Sequence, residues 1–550
     1  MQAFGRLAAL AAAVGVAVAV QVPAGALEEA PARASIREQD LESDLTFIAS
    51  DLFQGRLTDT PGNRLASEFV RARFQRLGLV PVASGSYFHP FQLMRTTLGG
   101  ANGLVAELRG RRVAASIEED FFPERFSASV AAAGPLVFAG FGIVAPERGH
   151  DDYRDADLRG RVVLLLDHAP GEFRDGRGAD TLLASEAATA LGKALAAQAR
   201  GAAAVLLVRD VQNHGVGSFA AEAWGAWPRV APRIERYMLA SRAADVRIPA
   251  LQVSPALAER LVAGTGRTLR DLALDAESAA GPRVRPISDV RIELSTEVVR
   301  TLVLDRNVVA ALEGADPRLR DEWIVICAHL DHDGTDGSAV FDGADDNGSG
   351  VVGLLEIAEA YALAAAAGRR PRRSVLFAAW NSEERGLLGA SAYVERPLVP
   401  LDRTVAVLNM DMIGRNEEVP AGGGSRFQGL APQTAESNAN AVNLLGYSYA
   451  PEVSDLVTRA NATLGLDLRR RYDENASNLI RRSDQWPFLE RGVPALWFFT
   501  GLHPDYHTPE DRADRINYPK MARVVRLVYE TSWLLADADG RPRFVSPSAP

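Results

Sequence analysis

Four apolar runs in the C-terminal half of this chain each end in side chains that bind metals or carry protons. Trp323–Ala328 (WIVICA) leads into His329 and Asp331. Ser374–Trp380 (SVLFAAW) leads into NSEE, with Glu383 and Glu384. Val405–Met410 (VAVLNM) leads into Asp411, and Val493–Phe499 (VPALWFF) leads through a short loop to His503 and His507. From about Asn307 such runs alternate with helical patterns. That predicts an α/β fold, with a mostly parallel sheet covered by helices on both faces. In an open sheet of this kind ligands sit outside the carboxyl ends of the strands, so these polar groups are expected on one rim.

A fifth element joins them. Asp342–Gly350 (DGADDNGSG) is a loop before a helix with Val351, Leu354, Leu355 and Ala358 on one face. Histidine with aspartate and glutamate, and no thiolate, is the donor set of a hydrolytic zinc site. The groups suffice for two ions, which together polarise a carbonyl, activate a water and stabilise a leaving group. The alternative for Glu383 and Glu384 is a solvated surface pair, and the apolar run before them argues against it. Asp345 rivals Asp346 as a residue shared by both ions.

In chain order the motifs are H-x-D, G-A-D-D-N-G-S-G, E-E-R-G-L-L-G, N-M-D-M-I-G and Y-H-T-P-E-D. Each alone is weak. Together, each at a strand end or helix start, they resemble the co-catalytic di-zinc exopeptidases of clan MH, which include secreted bacterial aminopeptidases and glutamate carboxypeptidase. The resemblance covers nearly the whole mature chain. It implies that His329 and Asp411 hold one zinc, that His507 and Glu384 hold the other, and that Asp346 bridges both. It also implies a cis peptide after Asp346, Glu383 as general base, and Asp331 orienting His329 from behind. His332 and His503 match no family position and are read as pocket-lining or solvated. His89, His150, His168 and His214 are read as structural.

The activity so implied is release of residues from peptide N-termini, with two zinc ions per chain. The alternatives are a carboxypeptidase of the glutamate carboxypeptidase type, a non-catalytic receptor or scaffold, and a one-zinc acyltransferase of the glutaminyl cyclase type. NMDMIGR (Asn409–Arg415) looks more like the aminopeptidase branch. Arg415, Arg481 and Arg482 lie near the motifs; they are read as surface residues or as partners of Glu417, Glu418 or Asp484. A net charge of −10 argues against nucleic acid as a partner.

A chain of 550 residues exceeds one ordinary core. Residues 1–26 read as a signal peptide: Arg6, then Leu7–Val20, then Ala24-Gly25-Ala26. The apolar run is shorter than the ~20 residues of a membrane span. Export to periplasm or medium is therefore expected, with no stable membrane insertion. Residues 27–124 and 286–540 are assigned to the catalytic domain, 125–285 to an inserted β-rich domain, and 541–550 to a disordered tail. FAGFGI, DDYRDADLRGRVVLLL and GAAAVLLV resemble a protease-associated domain, whose roles as lid, gate or spacer stay open. The lone cysteine, Cys327, forbids an internal disulfide and is read as a small buried apolar residue.

Overall fold

The computed structural model describes residues 29–546 apart from 147–148, 155, 171–185, 213–214, 216 and 278–283. The expected signal peptide lies outside the described residues.

The strands Trp323–His329, Ser374–Trp380, Thr404–Met410 and Ala495–Phe499 are neighbours and run parallel. They form the centre of a ten-stranded sheet. Its flanks are antiparallel. On one side Val298–Leu312 pairs with Ser374–Trp380 and with Phe88–Leu98. On the other, Ala441–Leu445 pairs with Ala495–Phe499. The sheet is thus mixed around a parallel core, and the four carboxyl ends share one rim.

Alternation along the strands divides the core into two layers. Ile324, Ile326 and Ala328 face the helices Gly350–Ala366 and Tyr518–Asp537. Val325 and Cys327 face the other way, towards Leu388–Glu395 and Trp486–Glu490. Central strands with both faces covered read as unbroken apolar runs. Gly350–Ala366 is buried on nearly every side, including Val351, Leu354, Leu355 and Ala358. With its preceding turn, from Ala344, it has the length and hydropathy of a membrane span, but most of it is buried within the protein.

Apolar spacing would choose Leu65, Phe69, Phe74 and Leu77 as the inner stripe of the helix Pro61–Arg76, but that is not the face it buries. Its buried positions are Gly62, Asn63, Ala66, Ser67, Val70 and Phe74, while Leu65 is exposed. Small residues let the helix approach closely, and Asn63 Nδ2 donates to Asn381 Oδ1 (2.7 Å) beside the Glu383–Glu384 turn.

A second, eight-stranded sheet has its own core. It takes in Gly103–Leu108 and Arg285–Ser295, which pair with each other. The second domain is therefore wider than the expected 125–285. Both entering and leaving strands belong to its sheet. Residues 541–546 are not a free tail: Phe544 packs on Tyr449 and the Val545 amide donates to the Tyr449 carbonyl (2.8 Å).

Arg56 is fully buried under the rim. Its guanidinium donates to the carbonyls of Leu330 (2.9 Å), Ile48 (3.1 Å), Asp342 (2.6 Å) and Gly343 (2.9 Å). It ties three loops together. Arg56→Met removes the donors and leaves those carbonyls unpaired, so a loss of about 3 kcal/mol is expected. A thermal melt of the variant beside the parent checks this; an unchanged Tm would remove Arg56 as the clasp.

Candidate metal centre

The rim gathers every residue that the motifs singled out. His329 ends its strand, Glu383 and Glu384 follow Trp380, and Asp411 follows Met410. His507 arrives from the loop after Phe499. Asp346 sits where the loop enters its helix, in a cis peptide with Asn347. Gly350 makes that entry possible: a Cβ there would lie 2.3 Å from Asn347 Oδ1 and 2.4 Å from the Met410 carbonyl.

Asp346 divides its carboxylate between two imidazoles. Its Oδ1 lies 3.2 Å from His329 Nε2, and its Oδ2 lies 3.0 Å from His507 Nε2. Asp411 Oδ1 is 3.3 Å from His329 Nε2. Glu384 Oε1 is 3.3 Å from His507 Nε2. Two clusters result, joined by Asp346. Asp345 turns away: its Oδ1 accepts from the Gly414 amide (2.6 Å) and its Oδ2 faces His503. The geometry thus separates the two candidate bridges.

Both histidines are set to offer Nε2. His329 Nδ1 donates to the Asp331 carbonyl (3.2 Å), and His507 Nδ1 donates to Asp333 Oδ2 (3.1 Å). That tautomer leaves a lone pair on Nε2. His507 Nε2 is buried without a well-formed hydrogen bond. Four zinc ligands at bond lengths near 2.05 Å stand about 3.3 Å from one another in a tetrahedron. The separations above are of that size, and the donor set suits zinc, so the residues fit two such ions.

Electrostatics splits the adjacent glutamates. Burial pushes the Glu383 carboxyl well up. Burial also acts on Glu384, but His507 and His332 outweigh it and hold that carboxyl well below the usual range. Environments that drive two neighbouring carboxyls apart are how one becomes a proton carrier and the other stays an anion.

Several expectations are corrected. The Asp331 carboxylate does not face the His329 ring. It accepts from the backbone amides of Glu383 (2.8 Å) and Glu384 (3.3 Å), because the turn after Trp380 offers those donors. Only its main-chain carbonyl touches His329. His332 is buried rather than solvated, with Nδ1 3.0 Å from Glu384 Oε1. His503 is buried too, beside Asp345. Arg415 pairs with Asp505 (2.9 Å), not with Glu417, which holds Arg471 and Tyr472. The Asp484 carboxylate has no hydrogen-bond partner among the described residues, and Arg481 and Arg482 line the cavity over the site.

Sequence reasoning missed three supporting groups. Asp333 holds His507, Asp511 accepts from the amides of Asp345 and Asp346 (3.0 Å each), and Ser483 donates to Asp411 (2.6 Å). Asp511 closes the Y-H-T-P-E-D motif, four residues past His507, and Asp333 stands two residues past the H-x-D motif, so the signal was present without an assigned role.

Residues 307–532 match Peptidase family M28. A probable glutamate carboxypeptidase, AMP1, of Arabidopsis thaliana is 28% identical over 404 residues, covering 71% of this chain and 51% of that protein. Leucine aminopeptidase 2 of Trichophyton rubrum is 29% identical over 205 residues, covering 37% of this chain and 35% of its own length. Among solved structures, an aminopeptidase from Aneurinibacillus sp. strain AM-1 is similar at a TM-score of 0.47 and 18% identity, over 94% of this chain and 98% of that one. The chain spans about half the length of the glutamate carboxypeptidase relative.

Asp331→Asn replaces an acceptor that serves two amides at once. A fall of about 10–100-fold in affinity for zinc is expected, read by competition with a calibrated chelator. Unchanged affinity would show that the turn after Trp380 needs no such anchor.

Proposed function

We propose that this chain, which carries a Peptidase family M28 region over residues 307–532, is a two-zinc exopeptidase that releases single residues from peptide N-termini. The observation that carries the reading is Asp346, whose two oxygens each face a different histidine. In it His329 and Asp411 hold one ion, His507 and Glu384 the other, and Asp346 both. The ions supply Lewis-acid polarisation of the scissile carbonyl and acidify a water. Glu383, 3.9 Å from His329 Nε2, takes the proton from that water and delivers it to the leaving amine. Asp331 aims Glu383 through its backbone amide. Burial, which favours the protonated form of Glu383, suits a group that must give the proton back.

The leucine aminopeptidase relatives support N-terminal attack. The same reading takes the chain as exported after loss of residues 1–26, and its second domain as protease-associated. A carboxypeptidase reading has one specific observation in its favour: Arg481 and Arg482 line the cavity, where a terminal carboxylate would be held. A scaffold would have no need of Glu383 beside a complete ligand set, and a cyclase-type enzyme would bind one ion.

Chelation is expected to abolish hydrolysis and zinc to restore it, with about two ions bound per chain. Glu383→Ala should retain both ions and lose about 10²–10⁴ of kcat, whereas Glu384→Ala should lose metal. Retention of both ions by Glu384→Ala, with Glu383→Ala emptied, would reverse the two roles. Mass spectrometry of free and N-acetylated peptides decides direction. N-terminal residues should be released only from the free peptides; release of C-terminal residues instead, blocked by amidation, would install the carboxypeptidase reading.

A further inference from the structure

The cavity over the metal centre has a volume of about 310 Å³, the scale of one or two amino-acid residues. One wall is the metal site itself: His329, Asp346, Glu383, Glu384 and Asp411. The lining also includes Arg481 and Arg482. They stand on a short turn, Leu479–Arg481, entered through Asn478 at φ 49°. The turn is fixed at its start, where the Leu479 amide donates to Asn475 Oδ1 (2.9 Å) and the Leu479 side chain is buried. The Arg481 guanidinium lies 4.7 Å over the Trp486 ring, which restrains it as a flat plate. Arg482 is exposed and makes no ion pair among the described residues.

Charge decides what such a wall can face. Two divalent ions would bring four positive charges against the four carboxylates of the wall, Asp346, Glu383, Glu384 and Asp411, and so balance them. Arg481 and Arg482 would then leave the cavity with a net positive charge. A cavity of net positive charge draws in an anion, and a guanidinium fork matches a carboxylate in particular. We propose that Arg481 and Arg482 are specificity-determining residues that hold a substrate carboxylate within one residue of the scissile bond. The substrate class is dipeptides with a free C-terminus, or longer peptides with an acidic second residue. Both present the same group at the same distance from the reacting carbonyl. The inference rests on the exopeptidase reading above and narrows it.

The test uses the zinc-loaded enzyme with four substrates that all carry a free N-terminal leucine: Leu-Ala, Leu-Ala amide, Leu-Glu amide and leucine p-nitroanilide. The anilide has no carboxylate, so its cleavage reports N-terminal release alone; turnover of neither the anilide nor Leu-Ala sinks the N-terminal reading, and the arginines are then judged by the binding experiment below. The inference expects Leu-Ala to have a KM about tenfold below that of its amide. It expects Arg481→Gln and Arg482→Gln to bring the ratio of the two KM values towards one, and Arg482→Lys to restore part of it. Leu-Glu amide matching Leu-Ala would identify the side-chain carboxylate as an accepted source; Leu-Glu amide matching Leu-Ala amide would restrict the site to the C-terminus. Binding is read independently of turnover by calorimetry, titrating Leu-Ala and Leu-Ala amide into Glu383→Gln. Equal KM and equal binding for acid and amide overturn the proposal, as does a preference that survives both glutamine substitutions.

Discussion

Carboxylate crowding governs this molecule. Asp346, Glu383, Glu384 and Asp411 are buried around two imidazoles, within 3.0–3.9 Å of one Nε2 or the other. Charges taken out of water without compensation are expensive, so a site like this exists only if cations share it. In the metal-free chain the imidazoles take that part. Burial alone would lower the His329 and His507 pKa values, yet the surrounding carboxylates, Glu383 and Glu384 foremost, drive both well up. A cation bound among these carboxylates would supply the same charge more fully and would displace the protons.

That crowd has to be held against its own repulsion, and the holding is done from outside the ligand set. Backbone amides do much of it. Asp331 collects those of Glu383 and Glu384, while Asp511 collects those of Asp345 and Asp346. Asn347 Nδ2 donates to the Met410 carbonyl (2.9 Å), locking the helix entry to the strand that ends in Asp411. A further buried chain runs backwards from Asp331 through Thr58 and Ser382 to Asp305. Burial pushes Asp305 up to about 6, while Ser382, Asn381 and the Arg306 amide donate to its oxygens and favour the anion.

The strands and their rim were legible because a strand buried on both faces has a plain signature, and a polar residue at its end needs a reason. The same logic made Glu383, Asp411 and His329 visible. Supporting groups were harder to see, since their partners are backbone atoms brought close by the fold. Nothing in the letters says that the Asp331 carboxylate prefers two amides to an imidazole. Nothing in the sequence around Arg56 announces its task, although its guanidinium binds loops 274 to 287 residues away. Leu65 shows the reverse error. It looks like a core leucine by spacing, while Asn63 and Ser67, polar and small, take the buried side.

The second domain bears on the site through the segment that leaves and re-enters the first. Tyr237–Leu239 lies within the inserted chain, yet it pairs with Phe88–Leu98 in the ten-stranded sheet. Arg242 and Ser241 both bond to Glu395 on the helix that follows the glutamate turn. Arg233 reaches further: it donates to the Asp333 carbonyl (2.6 Å) and stacks over Phe341 at 4.6 Å. Asp333 is the group that orients His507. A hinged lid would have to break a strand pairing, an ion pair and this contact each time it opened. The arrangement is that of a fixed wall. The inserted chain is thereby part of the frame that sets one of the two histidines, although each sheet has its own core.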